Sequence, residues 1–104
     1  MKGNINQLLK QAQAMQARLA STQEKLAKET AEGQAGGGMV TAVVNGNHDL
    51  LSLKIEKDAV DPEDVEALQD LIVAAINVAQ KNITQKIQDE MSKVTGGMKL
   101  PGLF

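Results

Sequence analysis

The stretch MVTAVVNGNHDLLSLKIE, residues 39–56, decides the fold. Val40, Val43 and Val44 are β-branched, and such side chains suit a pleated, half-buried surface. Asn45-Gly46 follows, a tight-turn dipeptide because both residues tolerate positive φ. Leu51, Leu53 and Ile55 then alternate onto one face. The stretch therefore reads as a β-hairpin over 39–56. The pattern leaves open whether a third strand exists. Just upstream, GQAGGG (33–38) reads as a loop.

Both flanks of the hairpin are helical. On the N-terminal side, Ile5, Leu8, Ala12, Met15, Leu19, Thr22 and Leu26 recur at alternating spacings of three and four. That is a heptad seam, and it predicts one long helix over 4–32 with Gly33 as its stop. At ~1.5 Å per residue such a helix is roughly 40 Å long. A seam of that length exceeds what a small core can cover, so it predicts a partner chain. On the C-terminal side, Asp61-Pro62-Glu63-Asp64 marks a helix start, with Asp61 as cap and Pro62 in the first helical position. Val65, Leu68, Ile72, Ala75, Ile76, Ala79, Ile83 and Ile87 keep helical spacing, which predicts a second helix over 62–94, ended by Gly96-Gly97. Residues 95–104 form a mostly apolar tail. The order helix, hairpin, helix defines an α+β fold in one domain, 1–104.

Composition narrows the function classes. The chain has no cysteine, which removes disulfides, thiolate zinc sites and cysteine nucleophiles and fits a reducing cytoplasm. Phe104 is the only aromatic residue, so base stacking on side-chain rings is not a means of binding single strands. No apolar run has the length of a membrane span, and no signal-peptide core opens the chain. These features predict a soluble cytoplasmic protein that does not enter a membrane. His48 is the sole histidine, beside the hairpin turn, and Asp49 alone does not complete a metal-ligand set. Ser21, Ser52 and Ser92 lack a base at motif spacing, and GQAGGGM matches neither a Walker loop nor GxGxxG. The expectation is a non-enzyme without cofactor, metal or small-molecule substrate.

Charge is the informative feature. The net charge is -2, yet residues 1–30 carry five bases against two acids, 49–70 carry eight acids against two bases, and 81–99 carry four bases against two acids. On a helical wheel Lys10, Lys28, Lys25 and Arg18 fall within about 80° of one another, and the apolar seam occupies the opposite side at about 120–220°. The first helix thus carries a basic stripe. Such a stripe is open to two readings, a solvated helix face or a polyanion-binding surface.

Five segments in order resolve this further: KQAQAMQ, GGGMV, NGNHDLLSLKI, DPEDVEALQDLIVAAINVAQ and TGGMKLPG. With them the sequence resembles the YbaB/EbfC family of bacterial nucleoid-associated proteins over almost its whole length. The resemblance implies two long helices around a small antiparallel sheet, in a tweezer-like homodimer. It implies double-stranded DNA as the partner, a change in DNA shape, a place in the nucleoid, and roles in nucleoid organisation and gene regulation. The DNA-contacting candidates are Lys10, Arg18, Lys25 and Lys28, which the wheel also groups, and Lys86 and Lys93, which rest on the resemblance. The alternative is a dimeric adaptor for DNA repair or replication proteins, with DNA contact incidental.

Overall fold

The computed structural model describes residues 2–94, so the apolar tail and its expected Gly96-Gly97 stop lie outside the described residues. The order is α1 (Lys2–Ala27), β1 (Thr30–Ala35), β2 (Val40–Asn45), β3 (Leu50–Ile55), a single 3₁₀ turn (Lys57–Ala59) and α2 (Val65–Val94). The three strands form one antiparallel sheet in the order β1-β2-β3.

The hairpin is where the sequence places it, and a third strand precedes it. Residues 30–32, expected at the end of the first helix, and 33–35, expected as loop, form β1 instead. The last turn of α1 tightens, with Lys28 N–H donating to the Lys25 carbonyl at 3.2 Å and Glu29 N–H to that of Leu26 at 3.1 Å. The chain then pairs with β2 from Thr30↔Asn45 to Ala35↔Val40. Gly33 makes the strand possible. A Cβ there would lie 2.8 Å from Ala79 Cα and closer still to the Ala75 carbonyl oxygen and the Ala79 amide nitrogen. Glycine inside a strand marks this kind of close backbone approach.

One sheet face packs on α2. Val40, Ala42 and Val44 alternate inward from β2 and meet Ala75, Ala79 and Ile83, all with no exposed surface. Ala31, Ala35, Leu53, Ile55 and Leu71 close the margins of this core. The small Ala75 and Ala79 let α2 lie directly on the sheet, which is the other half of the Gly33 contact.

The α2 start also differs from expectation. Asp61 does not cap the helix; its Oδ1 accepts from Glu63 N–H at 2.9 Å, and its carbonyl accepts from Asp64 N–H at 2.9 Å. That closes a turn through Pro62, and Asp64 becomes the cap, accepting from Ala67 N–H at 3.2 Å. Two aspartates three residues apart both had cap chemistry, and the turn claimed the first.

Asn45 N–H donates to the Asp49 carbonyl at 3.0 Å and closes a hairpin loop of three residues, 46–48. Its positive φ falls on His48 (65°) rather than on Asn45 or Gly46. This is a turn followed by one left-handed residue, a common three-residue hairpin connection. Asn45 Oδ1 fixes it by accepting from Asn47 and Asp49 N–H, at 2.9 and 3.0 Å.

Candidate nucleic-acid interface

The long seam of α1 is mostly uncovered. Ile5, Leu8 and Met15 are 60%, 63% and 42% exposed, and only Leu26, at 5%, is buried. The chain uses the seam at its C-terminal end and leaves the rest as an arm. The molecule is accordingly drawn out, at 76 × 19 × 17 Å. Its radius of gyration is 20.0 Å, against ~13 Å for a compact chain of this length.

Lys10, Arg18 and Lys25 lie along this arm and Lys28 just beyond its last turn; all four side chains are exposed. None of the four forms an ion pair or a side-chain hydrogen bond among the described residues. Lys10 and Arg18 stand away from any acid on α1. Lys25 and Lys28 share a shallow groove with Ser21, Glu24 and Glu29, so charge at the arm's root is mixed.

The two candidates on α2 are placed differently. Lys93 Nζ bonds the Glu90 carboxylate one turn back, at 3.1 Å. Lys86 Nζ reaches across to the arm's root, 3.2 Å from Glu29 Oε2, and donates to the Thr30 carbonyl at 3.0 Å. Four residues earlier on α2, Asn82 Nδ2 donates to the Glu32 carbonyl at 2.8 Å. Two side chains of α2 thus fasten the edge strand β1. A third tie holds the hairpin loop. Gln80 Nε2 donates to the His48 carbonyl at 3.0 Å, and Gln80 Oε1 lies 2.8 Å from His48 Nδ1. Sequence reasoning passed over Glu29, Gln80 and Asn82. Their partners lie 32 to 57 residues away, and no local pattern signals such pairs.

The acids of residues 56–70 collect at the other end of α2. Asp58, Asp61, Glu63, Asp64 and Glu66 surround its start, and Asp64 and Glu66 suit the positive end of the helix dipole. Val65 and Lys86 are separated by 21 residues of helix, about 32 Å. Charge interactions at physiological salt decay over about 8 Å. The acidic end therefore does not cancel the field at the arm, and a net charge of -2 conceals a locally basic helix. Among the described residues no group of three potential metal ligands exists, and no helix is long and apolar enough to cross a membrane.

A three-stranded sheet backed by one long helix, with a second helix standing free and basic on one side, defines a small α+β protein built around a charged arm. A family model described as the YbaB/EbfC DNA-binding family matches residues 1–98, and the chain belongs to that family. A nucleoid-associated protein of Thermoanaerobacter pseudethanolicus is 52% identical over 101 residues, covering 97% of this chain and 91% of the relative. One from Pelotomaculum thermopropionicum is 47% identical over 104 residues, covering 100% and 99%. The crystal structure of an uncharacterized protein from Helicobacter pylori superposes with a TM-score of 0.71 at 26% identity, over 88% of this chain and 96% of that one.

Proposed function

We propose that this protein is a homodimeric nucleoid-associated protein that binds double-stranded DNA through the basic face of α1 and alters its conformation. Nucleoid organisation and gene regulation are the roles that follow from such binding. The observation that carries the reading is the arm itself: Lys10, Arg18 and Lys25 on a helix the rest of the chain leaves largely free, with Lys28 just beyond its last turn, all four exposed and unpaired among the described residues. Cations so placed bind phosphates by releasing condensed counterions, and affinity grows with the number of phosphates neutralised. A second copy doubles that number. It also offers cover for Ile5, Leu8, Leu9 and Met15, which a lone chain leaves in water. Lys93, already bonded to Glu90, is a secondary contact at the end of α2.

Arg18 is the only arginine, so bidentate reading of guanine contributes little. Phosphate contacts position a protein without reading sequence. Preference among DNA sites is therefore weak or follows DNA shape. The test is a titration of duplex DNA at several salt concentrations, beside a mass measurement in solution. The expected result is a linear fall of log affinity with log salt and a mass twice the 11.1 kDa of the single chain. Absence of binding at low salt refutes DNA as the partner; a mass of one chain refutes the dimer.

A further inference from the structure

We infer that Lys86 is a positioning residue that fixes the direction of the α1 arm, rather than a ligand for phosphate. Residues 4–18 of α1 are exposed throughout, so the arm is held only at its root. The apolar hold on α1 there is local and rests on Leu26. Leu26 is buried at the root, and beside it lies an open groove of about 220 Å³ lined in part by Leu26, Gly46, Ile87 and Met91. Gly46 lets the hairpin loop lie directly against the root, since a Cβ on it would lie 2.7 Å from the Leu26 carbonyl carbon and 2.9 Å from Ala27 Cα, but this contact ties the root to the loop and not to α2. What joins the root to α2 directionally is the Lys86 ammonium, bound to the Glu29 carboxylate and the Thr30 carbonyl on consecutive residues where helix becomes strand. One cation bonded to two successive residues resists both rotation and translation of the segment between them.

The consequence for function rests on the reading of the arm as the DNA-binding element. Lys10 and Lys25 are separated by about 22 Å along the helix, with Lys28 beyond its last turn. Phosphates are met by all four cations together only if the arm is held in one direction, so loosening the root raises the ordering cost of binding.

The experiment compares Lys86→Gln, Glu29→Gln and Lys86→Arg by two readouts. The first is the distance between spin labels on Gln13→Cys and Gln69→Cys, clean because the chain has no native cysteine. Labelled protein is diluted with unlabelled protein so that distances within one protomer are read. The second is DNA affinity against salt. A narrow distance distribution in the parent and in Lys86→Arg, broadened in both Gln variants, is the expected result. DNA binding then weakens about threefold in both Gln variants with an unchanged salt slope. The sign for Glu29→Gln is decisive, since removing an acid beside Lys25 and Lys28 strengthens binding on electrostatics alone. An unbroadened distribution, or a slope lowered by about one in Lys86→Gln only, overturns the inference and returns Lys86 to the phosphate contacts. Should the parent not bind DNA, the distance readout still decides the role of Lys86 in the arm.

Discussion

Gly33 of β1 lies against Ala79 of α2 with no room between the two backbones; a Cβ on Gly33 would sit 2.8 Å from Ala79 Cα. The neighbouring atoms are backbone, and they have no rotamer to yield. Gly33→Ala therefore forces the sheet off the helix at the centre of the core. Overpacking of this kind costs about 3 kcal/mol, which lowers the melting temperature by roughly 12–24 °C in a domain of this size. Thermal melting followed by circular dichroism checks it. A loss of only a few degrees means that the sheet and α2 move apart more freely than this contact allows.

The same contact explains what was legible in the sequence. The hairpin was readable because Val40, Val43 and Val44 and then Leu51, Leu53 and Ile55 carry local strand chemistry, and α2 was readable because its apolar spacing is regular. TAEGQA, the sequence of β1, has neither. Its strand state is imposed by β2 on one side and by Ala75 and Ala79 beneath Gly33, partners some 40 residues away in the chain. The helical seam ends at Leu26, and no stop signal stands between it and Gly33, so the expected helix extends five residues past Ala27. Likewise the basic stripe was legible, because a wheel needs only one helix. The partners of Lys86 were not, because they depend on how β1 and α2 meet.

At the start of α2 the two aspartates make a pair of contrasting substitutions. Asp64→Ala removes the bond to Ala67 N–H and leaves the first turn uncapped, at a cost of about 1 kcal/mol. Asp61→Ala removes only a bond inside the preceding turn and costs less. Denaturant titrations of the two variants give their order, and a larger loss for Asp61→Ala assigns the cap to that residue instead.

His48 and Gln80 give a second ordered pair. Gln80→Ala loses both the bond to the His48 carbonyl and the contact with Nδ1, at about 1 kcal/mol each. His48→Gly loses only the ring contact and gains relief at a φ of 65°, where a side chain costs about 1 kcal/mol. The glycine variant is expected to be near neutral and Gln80→Ala to be destabilised by about 1–2 kcal/mol. Equal destabilisation in the two variants shows that the ring contact, and not the carbonyl bond, holds the loop to α2.

The arm carries the last prediction. Arg18→Glu with Lys25→Glu reverses two charges on exposed side chains without an ion pair among the described residues, so the melting temperature changes little. Each phosphate contact contributes about 0.9 to the slope of log affinity against log salt. Losing both lowers the slope by roughly two per protomer, and affinity at low salt falls most steeply, since there the unscreened acids repel the backbone. The single variant Lys81→Glu serves as the control. Lys81 is equally exposed, but on α2 rather than on the arm. A phosphate surface on α1 predicts a small change for Lys81→Glu and a large one for the double variant. Equal loss per reversed charge in the two proteins indicates diffuse attraction by the whole chain, and the arm then has no special part in holding DNA.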